Sequence, residues 1–593
     1  MENNFEKKIC QNCRGEFIIQ PDDFNFYEKI KVPPPTFCPE CRLQRRLAWR
    51  NERALYKRKC DLCENNIIAM YDELASFPVY CRECWYGDDW DASSFGRDYD
   101  FSKNFFQQYK EFSNTVPRLA LWSRNSINSD YANMVAESKN VYLSSSIVAG
   151  SENVFFSKNV DKSADIVDCL NVKEGQNLYE NIESEKNYNC QYLLLSRNCL
   201  DSYFLVDCVN CSNCVLSYNL RNKEFHIRNL KYSKEDYFKE LEKMNLPSRA
   251  SRELLLEEFS EIKKTAIYRF ANIIRCVNST GNNLSDAKNC QNCFDVYAAE
   301  NLKYCYRLLD SFKDSMDSCF GIKSELMYEY TTGCLNDYNV RFSYSAMNSV
   351  RNADYTDSCI DCNNIFGCIS LRKKENAIFN KVYSKPEFEK LRTEIIEQMN
   401  EMPFVDKKGR VYKYGEFFPI EISPFTYNET LAQEINPLTK KEAEKNGYPW
   451  REQNKKNFPI TIPADKIPDT IAETDDKILA EVLGCKHKGE CAHQCNTAFR
   501  LANYEYAFYQ KHKIPLPVLC PNCRYYERFS QLPALKLWKR NCMCDPTSQS
   551  SDGRGKTNHF HGSEKCEVEF ETSYAPERPE IVYCERCYQQ EIY

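Results

Sequence analysis

The sequence predicts a multidomain, mainly β protein. A duplicated β-solenoid, parallel β-helix-like and closed by capping helices, is flanked at each end by a paired cysteine module. Three observations predict it: cysteine pairs crowd both ends of the 593-residue chain, short polar-then-apolar segments recur every 10 to 13 residues between them, and that middle region repeats itself after 151 residues.

The first module occupies residues 1–100. Cys10, Cys13, Cys38, Cys41, Cys60, Cys63, Cys81 and Cys84 form four C-x2-C pairs separated by 24, 18 and 17 residues. A C-x2-C turn presents two thiolates on one knuckle, and two knuckles close a tetrahedral four-thiolate Zn2+ site. The first and second pairs are expected to share one ion and the third and fourth another, with a cross-braced arrangement as the alternative. After CPEC runs RLQRRLAWRNERALYKR, where Leu43, Leu47, Ala54 and Leu55 suit the buried side of one helix carrying Arg42 through Lys57. Knuckle, hairpin and helix in this order make a treble-clef arrangement, and a helix N-terminus beneath the thiolates favours their ionised form.

On Cys10, Cys13, Phe17, Phe26, Tyr27, Pro35, Cys38, Pro39, Cys41 and Arg42 this stretch resembles the zinc-ribbon, treble-clef-like domain family. The whole arrangement resembles large zinc-ribbon proteins of bacteria with reduced genomes. That resemblance implies a cytoplasmic protein and supplies no activity.

The signal returns in residues 481–593 at Cys491, Cys495, Cys520, Cys523, Cys542, Cys544, Cys584 and Cys587. FYEKIKVPPPTFCPECR (26–42) aligns without a gap on FYQKHKIPLPVLCPNCR (508–524), and LYKRKC (55–60) on LWKRNC (537–542). Sixteen knuckle cysteines divide into about four zinc sites. The second copy departs from the first where ligands are chosen. Its last loop grows from 17 to 39 residues and holds His559, His561 and Cys566, while Cys485 and His487 lie just before the first pair and His493 within it, so that with His512 five of the six histidines fall here. A structural site with spare histidines is the favoured reading and a mixed or catalytic site with an open position the sharper one. The spacing leaves open whether His487, His493, His559 or His561, or Cys485 and Cys566, replace cysteine ligands.

Between the modules, residues 101–232 and 271–385 form the two solenoid blocks, with Cys208, Cys211, Leu220 and Arg221 recurring as Cys359, Cys362, Leu371 and Arg372. Short strands cannot bury an apolar face alone, but stacked coils can, and each coil then depends mainly on its neighbours. Glycine is scarce, so Asn and Asp are expected at the left-handed turns. Interior cysteines such as Cys208, Cys211, Cys214, Cys290 and Cys293 read as small core hydrophobes rather than further metal knuckles. A helical cap over 233–270 starts at Ser233, and a capping helix over 386–400 follows Ser384 and Glu387. Residues 401–480 are rich in Pro and aromatics and read as an extended strap, the alternative being a partner-recruiting peptide.

The net charge of −6 argues against a protein designed throughout for polyanions. With neither a signal-like start nor an apolar run long enough to span a membrane, reduced cytoplasmic thiols and no membrane partner are expected. Arg42, Arg46, Arg50, Arg53 and Lys57 fall at helical steps, with Trp49 and Tyr56 interleaved, and could contact phosphates and bases; a solvated, ion-paired face is the plainer reading. No Walker A motif, G-x-G-x-x-G or nucleophile–base set is present in the sequence. The preferred function is therefore a zinc-binding interaction scaffold for a protein partner. One alternative is RNA or DNA binding through the helix after Cys41, and another an enzyme with its site in the solenoid groove or beside the C-terminal histidines.

Overall fold

The computed structural model describes residues 5–452, 459–544, 559–562 and 564–593. It is a mainly β protein that divides into two compact units, and the units cut across chain order. The first comprises Met1–Leu121, Ala271–Arg451 and Leu535–Leu537; the second comprises Trp122–Phe270, Glu452–Ala534 and Trp538–Tyr593. Each therefore combines one cysteine module with one central β block, the N-terminal module with the later block and the C-terminal module with the earlier one. The Pro-rich segment is shared out, with its residues up to Arg451 in the first unit.

Both blocks are built on a twelve-residue parallel register. In the second unit Glu152 pairs with Ala164, Ala164 with Gln176 and Gln176 with Tyr188. In the first, Gly281 pairs with Cys293 and Met316 with Tyr328. From Asn153 to Arg228 every third residue has a positive φ, so short extended sides alternate with left-handed corners. Asn and Asp fill many corners, as their tolerance of that region predicts. Phe156, Tyr192 and Phe204 fill others, which the sequence pattern did not anticipate; their rings pack outside the ladder, Tyr192 stacked on Phe204 at 4.9 Å. Between Lys139–Val148 and Tyr188–Leu194 the eight parallel strands pair into a closed, barrel-like path, because these two longer strands each pair with two successive shorter ones. The sequence reading was instead a β-solenoid of stacked coils with capping helices. Inside each ladder lies a core of small aliphatics and cysteines, including Val154, Cys169, Cys208, Cys211 and Cys214 in one and Cys290, Cys293, Cys359 and Cys362 in the other. Their thiols donate to backbone carbonyls, Cys199 to Cys208 and Cys359 to Cys368 for example.

The helices beside the blocks begin as their caps dictate. Ser233 accepts from the amide of Asp236 at the start of Lys234–Lys243, and Ser384 forms a capping box with Glu387 before Lys385–Glu401. Tyr237, Phe388 and Ile395 are buried on these helices, whereas Phe238 is exposed.

Candidate metal centres

All four cysteine sites are built the same way. Two strands form an antiparallel hairpin, Glu6–Ile9 with Glu16–Ile19, Tyr56–Lys59 with Asn66–Ala69, Leu483–Gly484 with Ala498–Phe499, and Trp538–Asn541 with Glu569–Thr572. The residue just after the first strand is always a cysteine: Cys10, Cys60, Cys485 or Cys542. A second knuckle then caps a helix. Cys38, Cys81, Cys520 and Cys584 are the N-cap residues of Pro39–Leu47, Arg82–Tyr86, Pro521–Phe529 and Glu585–Ile592. The sulfur of Cys81 accepts the amide of Cys84, and that of Cys584 the amide of Cys587. Free helix N–H groups aimed at sulfur stabilise the thiolate, which is the ligating form.

Ligand atoms within 4.8 Å of one another gather in Cys10/Cys13/Cys38/Cys41, Cys60/Cys63/Cys81/Cys84, Cys485/Cys495/Cys520/Cys523 and Cys542/Cys566/Cys584/Cys587, and a fifth group joins His487, Cys491 and His493 to Cys523. The geometry suits zinc. A tetrahedron with Zn–S bonds of about 2.3 Å has S···S edges of about 3.8 Å, and the sulfurs of Cys13 and Cys38, Cys485 and Cys523, and Cys566 and Cys584 lie 3.7, 3.8 and 3.9 Å apart. Neighbouring thiols that donate to Cys10 and Cys520 hold both well below the usual thiol range: Cys38 and Cys41 in one case, Cys485 and Cys523 in the other. Burial raises Cys60, but the amides of Cys63, Cys81 and Leu62 outweigh it and bring the thiol to about 7.

The N-terminal pairs group as their spacing suggests, first with second and third with fourth. The C-terminal grouping differs from the sequence reading in two cysteines. Cys485, not Cys491, completes the set with Cys495, Cys520 and Cys523, and Cys566, not Cys544, completes the set with Cys542, Cys584 and Cys587. The hairpin explains both substitutions. The first ligand follows the first strand and the second precedes the return strand, and here long inserts separate those positions. Cys491 and Cys544 sit inside the inserts. The strand-then-cysteine pattern shared by KKIC, KRKC, VLGC and KRNC was the available signal.

The basic stripe is not a surface feature. The helix carrying Arg42 ends at Leu47, because Asn51 Oδ1 accepts the amides of Arg53 and Ala54 and turns the chain into the next hairpin, whose first strand contains Lys57. Arg42, Arg46 and Arg50 are no more than 3% exposed. Arg42 Nη2 lies 2.8 Å from Asp317 Oδ2, Arg46 Nη1 lies 3.2 Å from Asp317 Oδ1 and 3.0 Å from Glu329 Oε2, and Arg45 bridges Glu329 and Glu416 at 2.6 and 2.8 Å. The Arg50 guanidinium stacks on Phe320, 3.6 Å from the ring centroid, and pairs with Glu52. Trp49, offered above as a base-stacking platform, is buried and stacks on Phe418. Arg53 reaches Glu434 at 3.7 Å, while Lys57 is exposed. The sequence reading put these cations on one exposed helix face, either solvated and ion-paired or, as the alternative, turned towards phosphate. The folded chain instead sets the arginines against its own carboxylates.

The second unit repeats this clamp. Arg524 Nη1 lies 2.7 Å from Asp168 Oδ2, and Arg528 Nη1 lies 2.8 Å from both Asp168 Oδ1 and Glu180 Oε1. Glu505 adds a third carboxylate at 3.0 Å from Arg524. Asp168 and Glu180 occupy adjacent turns of the twelve-residue register, as do Asp317 and Glu329, and all four are left-handed corner residues. The helices that follow Cys38 and Cys520 thus each read two successive corners of their block.

No family model and no curated protein matches this chain. Among solved structures it is similar to the "putative acetyltransferase from Desulfovibrio desulfuricans G20", at 8% identity over 50% of this chain and 87% of that one, with a TM-score of 0.09. A likeness that slight carries no argument. Among the described residues no helix is long and apolar enough to cross a membrane.

Proposed function

We propose that the protein is a cytoplasmic, zinc-stabilised interaction scaffold in which zinc-ribbon, treble-clef-like modules hold two β-solenoid blocks in shape for a protein partner. The observation that carries this reading is the paired arginine clamp. In both copies the charged face of the zinc helix is spent inside the protein, on buried carboxylates of its β block, so the metal fixes a packing element. The twelve-residue register with corners every third residue supports the solenoid reading of the blocks, and an extended repetitive surface is what such folds offer to partners. Zinc is structural in this account. Its removal with a chelator should lower the melting temperature of the full chain and alter its β-sheet circular dichroism, and a melting curve unchanged by complete zinc removal would end the proposal.

An enzyme or small-molecule site is the second reading, favoured by one observation. A cavity of about 380 Å³ in the second unit is lined by Glu180, Lys263, Lys486, His487 and Glu527 among others. Thermal shifts with a panel of small anions would test it: a shift abolished by Lys263→Ala and Lys486→Ala together supports a ligand site, and no shift with any anion removes this reading.

A further inference from the structure

We infer that each C-terminal site is a binuclear zinc cluster with one bridging thiolate, Cys523 in the first and Cys587 in the second. This deepens the structural-zinc reading above and rests on it. The protein would then hold six zinc ions in place of four.

In the first cluster one ion takes Cys485, Cys495, Cys520 and Cys523; the other takes His487, Cys491, His493 and the same Cys523. The shared sulfur lies 3.8 Å from Cys485 Sγ and 3.7 Å from Cys491 Sγ, a tetrahedral edge on either side. The imidazoles are arranged as ligands. His487 Nε2 faces Glu527 at 3.6 Å, and the Nδ1 atoms of His487 and His493 are buried with no hydrogen-bond partner among the described residues. A buried nitrogen without a donor or acceptor is costly unless something else binds it.

The second cluster arrives at the same design from different sequence. Cys544 Sγ lies 3.2 Å from His559 Nδ1 and 3.6 Å from His561 Nε2, and His561 Nε2 lies 3.4 Å from Cys587 Sγ. A tetrahedral site with bonds of about 2.0 Å to nitrogen and 2.3 Å to sulfur has S···N edges near 3.5 Å. Outer partners fix both rings. His559 Nε2 meets Glu591 Oε2 at 2.9 Å, and His561 Nδ1–H donates to the Glu564 carbonyl at 2.6 Å, which turns the other nitrogen of each ring toward the sulfurs. Such carboxylate and carbonyl partners are the usual supports of zinc-bound histidine.

Along the chain the ligands follow one order in both sites: first ion, three for the second ion, two more for the first ion, then the bridge. That gives Cys485, His487/Cys491/His493, Cys495/Cys520, Cys523, and Cys542, Cys544/His559/His561, Cys566/Cys584, Cys587. The second-ion ligands are the contents of the insert that opens the first knuckle from two intervening residues to nine or 23. Four of the six histidines are thereby accounted for. The N-terminal knuckles have no insert, and Cys41 there accepts an amide hydrogen bond from Asn12 Nδ2 at 3.2 Å. Five thiolates around two Zn2+ leave one negative charge, against two for a lone four-thiolate site. Every position of both ions is filled by protein, so the clusters are structural.

Metal analysis of the reduced full-length protein tests the inference. Six zinc ions per chain are expected, with His493→Ala and His561→Ala each lowering the count by one while the remaining ions and the circular dichroism persist. Substitution with 113Cd should give two pairs of resonances split by coupling through a shared sulfur, together with two uncoupled resonances from the N-terminal sites. Four ions, unchanged by either histidine variant and with no coupled resonances, would overturn the bridged clusters and leave structural zinc standing. One ion or none would overturn both.

Discussion

The two cysteine modules share one pattern and differ in their hairpin knuckles. Both put an antiparallel hairpin and a cysteine-capped helix around a candidate metal site, and both send arginines from that helix to paired corner carboxylates, Asp317 and Glu329 in one unit and Asp168 and Glu180 in the other. The N-terminal hairpins close with C-x2-C turns; the C-terminal ones carry inserts rich in histidine and cysteine. The comparison teaches that helix and clamp form a fixed docking device, whereas the knuckle is where ligands can be added without disturbing it.

The largest expected effect separates the knuckles. Cys41→Ser should cost one zinc ion and Cys523→Ser two, and loss of a structural site removes on the order of 10–16 kcal/mol of apparent binding energy. Equal zinc losses in the two variants, measured by elemental analysis, would mean that the modules do not differ as described.

Next is the clamp. Asp317→Asn and Asp168→Asn each remove the carboxylate charge that two buried guanidinium groups share, so each should destabilise its own unit by about 3–5 kcal/mol in denaturant titrations. The two losses should be similar. A loss below about 1 kcal/mol in either, the range of an exposed ion pair, would break the equivalence.

A smaller effect concerns pH. Burial pushes the Glu180 carboxyl up to about 7 against the pull of Arg528, from an ordinary value of about 4.5. The folded state then holds a proton that the unfolded chain releases, so this group's contribution is full below about pH 4.5 and fades as pH rises through about 7. Glu180→Gln should flatten that slope in melting temperature. An unchanged slope would assign it elsewhere. The smallest effect on stability should come from replacing residues 486–494 with a two-residue turn. That variant should lose one zinc ion and retain its circular dichroism; loss of the fold would show that the insert supports more than its own ion.

How much of this was legible in the sequence depended on distance along the chain. The C-x2-C knuckles, the Ser233 and Ser384 caps and the recurring short strands are local signals, and they were readable. Whether Cys485 and Cys566 are ligands stayed open because inserts break the spacing that identifies a knuckle. The helix after Cys41 was read too long, since arginines at helical steps continue past Leu47 while the turn that stops it depends on one side chain, Asn51. Above all, Arg42 and Arg46 resembled a surface stripe because Asp317 and Glu329 lie more than 270 residues away, and nothing local announces them. The same gap hid the packing of each module's arginines on its block.

Hydrogen exchange of the full-length protein, with zinc and after chelation, tests the coupling of module to block most directly. The account predicts that chelation speeds exchange in the cysteine hairpins and also in the strands beside the clamps, Ala164–Val167 and Gln176–Tyr179 in one unit and Tyr306–Ile322 and Tyr328–Leu335 in the other. If those strands keep full protection while the hairpins lose theirs, the zinc modules do not hold the β blocks, and the central claim fails.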